Sequence, residues 1–301
     1  MWPQWGVHSP QPYMYTANLA YGVTTTRDPQ TSQADVISYG DAVDVGQIIG
    51  PRIYATGPGI FAQDNVSSAD DAKEVMKRYS EFYLTETIKQ YQAGDRRQRQ
   101  WLAMAAKEQK LTPTLLVQYG GPWAENWWYE HYDIFSDPKL ARFTPFSELE
   151  RRGLRRPRWF RDSEYSFALF AEQAKKVVEA GGRVGLGGHG QLQGLGVHWE
   201  LWTIAKGGMK PMDALRVATI YGAEAIGLQK DLGTVEAGKL ADILVLDGNP
   251  LDNIQNTNTI RFVMKNGRVY DGDSLTEVWP RQRPMPKQWW MANDATPVPL
   301  R

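Results

Sequence analysis

The stretch that most constrains this chain lies between residues 232 and 270. Asp242 opens an unbroken aliphatic run, Ile243-Leu244-Val245-Leu246, and Asp247-Gly248-Asn249-Pro250 ends it. Four apolar β-branched or aliphatic residues between turn formers read as a strand. Gly233 and Gly238 leave the backbone before it free to turn sharply. A second strand follows at Arg261-Phe262-Val263-Met264-Lys265, then Asn266-Gly267, then Arg268-Val269-Tyr270. Asn-Gly between two β-prone runs is the strongest short-range hairpin signal, because both central residues of the favoured turn need positive φ.

Upstream, strand-like and helix-like segments alternate, which points to parallel α/β structure. Strands are predicted at 22–27, 52–57, 87–91, 114–119 and 183–188. Helices are predicted at 68–82, 96–110, 163–180, 197–206 and 211–227. The last begins with Pro211, ends with Gly227 and carries Leu215, Ala218, Ala225 and Ile226 at helical spacing. Residues 120–160 read as an irregular, aromatic and basic loop, and the tail beyond Val278 as irregular.

Composition narrows the function classes. The chain has 301 residues, with 34 basic against 34 acidic, so no global charge draws it to nucleic acid or to an anionic membrane. It has no cysteine, which excludes disulfides, thiolate metal ligands and a cysteine nucleophile. No apolar run approaches the ~20 residues of a membrane span. The basic run around Arg151, Arg152, Arg155, Arg156 and Arg158, beside Trp159 and Phe160, has the residue types of an RNA-binding segment. With balanced overall charge it reads as a solvated insertion.

The segment from Leu232 to Pro250 closely resembles the C-terminal return strands of the metal-dependent amidohydrolases, in the subgroup that holds imidazolonepropionase and prolidase-like enzymes. Three further motifs occur in that family's order. Tyr21-Gly22-Val23-Thr24-Thr25-Thr26-Arg27-Asp28 matches the strand after the first barrel helix. Gly50-Pro51-Arg52-Ile53-Tyr54-Ala55-Thr56-Gly57 matches the next strand. The run from Lys210 to Leu228 matches the last barrel helix. The resemblance implies an α/β fold: a TIM-type (β/α) barrel over 1–229, small β-sandwich return strands over 230–280, and an irregular tail over 281–301. It also implies that the barrel is incomplete. Only five barrel-type strands are visible, and five do not close at the eight-strand geometry. A first strand bearing His-x-His would fall before Met1. The fifth and sixth strands, each with a metal-ligand histidine, would fall between Leu111 and Thr112. Either the product is shortened at its N-terminus and lacks a middle segment, or it is a genuinely compact member.

The family activates water with one or two divalent metals for attack on a C–N bond. The resemblance therefore implies a small-molecule hydrolase acting on a cyclic amide, an amidine or a dipeptide-like substrate, with zinc as the expected metal. The four histidines, His8, His131, His189 and His198, form neither His-x-His nor His-Glu-x-x-His, so a complete binuclear site is not expected. Lys89, in Thr87-Ile88-Lys89-Gln90-Tyr91, matches the family's fourth-strand lysine, a metal ligand when carboxylated. Its alternative is a strand-end lysine reaching water. His189, in Gly185-Leu186-Gly187-Gly188-His189-Gly190, stands where much of the family has a catalytic Asp. It is the candidate metal ligand and catalytic base, or else a histidine satisfied within a tight turn. His198 and Trp123 are candidate substrate contacts, with packing under a loop as the alternative for both. Arg27 and Asp28 are expected to form a structural ion pair. The competing function is a non-catalytic barrel that cannot assemble the metal site. Open strand edges also predict self-association.

Overall fold

The computed structural model describes residues 9, 11–29, 35–60, 64, 66–82, 85, 88–89, 95–105, 122–153, 159–189 and 192–291. The predicted strand at 114–119 and the junction between Leu111 and Thr112 lie outside the described residues, as does most of the predicted strand at 87–91.

The order of elements is α1 (Tyr13–Ala20), β1 (Thr25–Asp28), α2 (Asp35–Asp44), β2 (Arg52–Ala55), α3 (Ala69–Glu81), α4 (Arg96–Ala105), α5 (Ala124–His131), α6 (Pro138–Phe143), α7 (Phe146–Gly153), α8 (Phe167–Glu179), α9 (Leu195–Lys206), α10 (Pro211–Ala218), α11 (Ile220–Ala225), β3 (Ile243–Leu246), β4 (Ile260–Lys265), β5 (Arg268–Asp271) and β6 (Glu277–Trp279). β1 and β2 pair in parallel across the α2 crossover, with Arg27 opposite Tyr54. After β2 the chain turns so that the Ile60 N–H donates to the Lys89 carbonyl at 2.8 Å. This brings the Lys89 segment alongside the stretch that leaves β2. β3 to β6 form one antiparallel sheet in sequential order. The predicted hairpin is present: Asn266 and Gly267 turn at φ 52° and 72°, and Lys265 pairs with Arg268. Among the described residues this sheet is a single layer, with β3 at its edge.

Local chemistry accounts for several boundaries. Ser68 caps α3 by accepting from the Asp71 N–H at 3.0 Å, and Asp70 and Asp71 lie in the first turn, where carboxylates complement the helix dipole. Pro138 starts α6 behind Asp137, whose carboxylate accepts from the Lys139 and Leu140 N–H groups.

Three differences from the expected elements have physical causes. The single helix expected over 211–227 is two helices, α10 and α11, broken at Thr219 (φ −127°, ψ −98°). Its hydroxyl donates back to the Leu215 carbonyl at 2.7 Å, a bond that bends helices. The stretch expected to be irregular, 120–160, holds α5, α6 and α7. These are too short to stand alone, and tertiary packing holds them: Trp128 stacks against Trp199 and donates its indole N–H to the Thr203 hydroxyl at 2.7 Å. Residues 183–188 hold a single bridge residue, Val184, and no named strand among the described residues. Gly185, Gly187 and Gly188 give that stretch little side-chain surface to pack in a sheet.

The main core gathers Leu19, Trp199, Ile204 and Val217 with Val263 of β4 and Leu275 from the turn between β5 and β6. A smaller core under α3 and α4 contains Ile60, Val66, Tyr79 and Leu102.

Candidate functional site

A cavity of about 2050 Å³ opens between the C-terminal end of α1, β1 and the turn at 185–189, and its walls include Asn18, Tyr21, Arg27, Lys89, His189 and His198. Three of the four site residues expected from sequence therefore share one cavity, although they come from distant parts of the chain. Trp123, the fourth, is outside its lining; it sits at the N-cap of α5 and is partly exposed.

His189 has φ 54°, a left-handed conformation in which histidine is enriched relative to most side chains. The chain beyond it is clamped against α1. The Asn18 side-chain amide donates to Gln193 Oε1 at 2.8 Å, and its oxygen accepts from the Gly194 N–H at 2.9 Å. Gly194 has φ 77°, and a Cβ there would stand 2.4 Å from Tyr21 Cδ2 and 2.8 Å from the Ala17 carbonyl oxygen. Only glycine fits this approach.

His198 is buried, and both its nitrogens are engaged inside the protein. Nε2 lies 2.9 Å from the Tyr21 carbonyl oxygen, which can only accept, so Nε2 carries the proton. Nδ1 lies 3.0 Å from the Thr257 hydroxyl. Burial, first of all, holds the imidazole down at about 4, so near neutral pH the ring is uncharged. Thr257 also receives the Trp202 indole N–H at 2.9 Å and lies 2.9 Å from the Ile254 carbonyl oxygen. His198 thus joins α9 to the end of α1 and to the short turn 254–258 before β4. Its ring forms part of the wall, but neither nitrogen is open to a ligand.

Lys89 is half-buried, and its ammonium is pulled below the ordinary lysine value by desolvation, then by repulsion from Arg27. Arg27 is likewise half-buried and lowered by desolvation. The expected Arg27–Asp28 ion pair is not formed. Neighbouring residues of a strand point to opposite faces, and among the described residues no carboxylate pairs with Arg27. At the start of β2, Arg52 does find an acid: it is bound to Asp242, and it also donates to Thr25 Oγ1 at 3.3 Å.

Sequence reasoning missed Asn18, Gln193 and Thr257. None carries a local signal, because the partners that give each its role lie far along the chain.

No group of three or more His, Asp or Glu side chains converges among the described residues as a metal ion requires. The described residues alone therefore do not fit a metal centre.

Residues 163–270, from the approach to α8 through most of β5, match the amidohydrolase family. Imidazolonepropionase from Shouchella clausii is 39% identical over 79 residues, which are 25% of this chain and 18% of that protein. Ochratoxinase from Aspergillus niger is 31% identical over 78 residues, 25% of this chain and 16% of its own length. The chain thus aligns with less than a fifth of these curated relatives. Solved structures agree over far more of the chain. A Xaa-Pro dipeptidase with methionine bound in its active site superposes with a TM-score of 0.55 at 19% identity, covering 85% of this chain and 78% of that one. A. niger ochratoxinase superposes at 0.56 and 16% identity, covering 86% and 74%. At such identities these likenesses speak to fold, and the mixed α/β order described above agrees with them. The matched region and the return-strand motif inside it lead to one conclusion: over residues 163–270 the chain is similar to the amidohydrolase family.

Proposed function

We propose that the protein hydrolyses a C–N bond in a small cyclic amide, amidine or dipeptide-like molecule held in the cavity beside β1. The observation that supports this most is that Lys89 and His189, far apart in the chain, both line one cavity. His189 is the base: its imidazole takes a proton from the attacking water and returns it to the leaving nitrogen. The Asn18 clamp on Gly194 steadies the chain that follows it. His198 and Tyr21 close the wall behind the substrate. The family uses a divalent metal, and zinc is the ion proposed, with Lys89 and His189 as this chain's own contributions. The remaining donors would have to come from outside the described residues.

A second reading, a barrel that binds small molecules without catalysis, is favoured by the lack of a converging ligand group among the described residues. Elemental analysis separates the two. Near-stoichiometric zinc, manganese or iron that is lost in Lys89→Ala or His189→Ala supports the hydrolase. Protein that retains no metal and turns over no amide supports the second reading. Neither reading involves nucleic acid or a membrane, and no helix among the described residues is long and apolar enough to cross one. Self-association through open strand edges is part of the proposal, and a monodisperse monomer in sedimentation would overturn that part.

A further inference from the structure

We infer that His131, at the end of α5, is a pH-sensitive latch: taking up a proton fastens the turn at 162–164, which leads into α8, onto α5. Four side chains from three elements meet there. The Trp127 indole N–H donates to Asp162 Oδ1 at 3.0 Å, and Asp162 begins the 3-10 turn Asp162–Glu164. The His131 ring stacks on the Trp127 ring, with centroids 3.9 Å apart and planes 13° from parallel. The Lys206 ammonium, from the end of α9, sits 3.9 Å from the same centroid. The face covered by the imidazole has no room for it, so Lys206 holds the other face.

The two nitrogens of His131 have different neighbours. Nδ1 donates to the Trp127 carbonyl oxygen at 2.7 Å; a carbonyl only accepts, so Nδ1 carries the proton of the neutral ring. Nε2 then turns a lone pair toward Asp162 Oδ1, 3.8 Å away. Two facing acceptors do not bind each other, and the gap is too long for a hydrogen bond. A second proton reverses the sign. Nε2 becomes a donor opposite a carboxylate, and the imidazolium gains the π face of Trp127 and the negative end of α5. Lys206 opposes it, but from beyond the indole, so the nearer Asp162 outweighs it. The neighbouring acids have other roles. The Glu164 carboxylate accepts the Arg161 N–H at 2.7 Å, and the Asp133 carboxylate accepts the Phe135 N–H at 3.0 Å. Glu130, one position before His131 on the helix, does not face it. From α8 the uncharged Phe167 ring meets Trp127 edge-on. His131 and Asp162 are both exposed to water, and histidine is the side chain that ordinarily changes charge between about pH 5 and 8.

Hydrogen exchange on the full chain tests the latch. The Glu164 and Tyr165 N–H groups close the turn onto the Arg161 and Asp162 carbonyls, so their exchange reports its opening. Exchange is followed by mass spectrometry at about pH 8 and about pH 5.5, on the two sides of the histidine range, and corrected for the intrinsic dependence of exchange on pH. The wild type should gain about two- to five-fold protection at the lower pH, the yield of an exposed ion pair. His131→Gln and Asp162→Asn should lose that gain. Asp162→Asn keeps an acceptor for the Trp127 indole, so it separates the charge from the hydrogen bond. Buried His198 acts in the opposite sense, because its low value costs stability as pH falls, so a gain does not come from it. No gain in the wild type, or a gain that persists in either variant, would overturn the latch. If one variant does not fold, the other decides alone. Neither result depends on whether the cavity hydrolyses an amide.

Discussion

Arg52 and Asp242 meet as a buried ion pair that ties the parallel strands to the return sheet. The second guanidinium nitrogen lies 3.1 Å from Asp242 Oδ1, and the same carboxylate oxygen accepts from the Asn266 N–H at 2.9 Å in the hairpin turn. Both side chains are about nine-tenths buried. Removing one partner of such a pair leaves a stranded charge. Arg52→Ala should therefore lose about 3–5 kcal/mol of stability in urea denaturation, whereas Arg52→Met with Asp242→Leu should recover much of it. A loss within the error of the extrapolation would show that the pair does not hold the two sheets together.

Thr257 is a hub with three polar partners: His198, Trp202 and the Ile254 carbonyl. Thr257→Val keeps the shape and removes the hydroxyl. It should cost about 2–4 kcal/mol, because buried donors and acceptors are left unpaired. Thr257→Ser should recover most of the loss. Thermal unfolding of the three proteins side by side is sufficient, and near-identical midpoints would contradict the hub.

The same histidine sets a pH response. Its folded value is held down to about 4 from an ordinary 6.5, so between those values the unfolded chain binds the proton that the folded chain refuses. Stability is therefore complete above about pH 6.5 and lost as pH falls toward 4, by up to about 3 kcal/mol. Stability measured at intervals across that window should show the slope in the wild type and a shallower one in His198→Gln. Parallel curves would assign the acid sensitivity to other groups.

Gly194 makes a sharper prediction about the candidate site. An added Cβ would overlap the Tyr21 ring and the Ala17 carbonyl, and φ 77° disfavours any side chain. Gly194→Ala should destabilise by at least about 1–3 kcal/mol. It should also shift the His189 backbone resonances, because the clamp on the following chain is pried away from α1. Unperturbed His189 signals in a folded variant would separate the clamp from the site.

The parts of this fold that were legible in sequence are those fixed by neighbours in the chain. Asn266-Gly267 announced the hairpin because the turn itself demands positive φ. Ser68 and Pro211 announced helix starts for the same local reason. Lys89 and His189 were candidates because their segments resemble the family's fourth and last barrel strands, and both line the cavity. What was not legible depended on distant partners. The short helices between Ala124 and Gly153 exist because Trp128 finds Trp199 and Thr203, and no window of sequence contains all three. The Thr219 break arises from a hydroxyl choosing a carbonyl one turn back, which propensity alone does not decide. Arg27 was misread because the family resemblance implied an ion pair with Asp28 that the two side chains do not form. Asn18 and Thr257 are ordinary polar residues until the fold supplies their partners.

The bonds from Asn18 to Gln193 and Gly194, from His198 to Tyr21 and from Arg52 to Asp242 each bridge more than 170 positions of chain. A polypeptide emerging from the ribosome holds α1 and both parallel strands long before any of these partners exists. The inner surface of α1 must wait uncovered until the segment from Gln193 to His198 is made. Such long-range closure slows folding and prolongs the exposure of apolar surface. Synthesis of this protein should therefore draw on chaperones that shield nascent chains, and its yield should respond to the speed of translation through the final hundred or so codons.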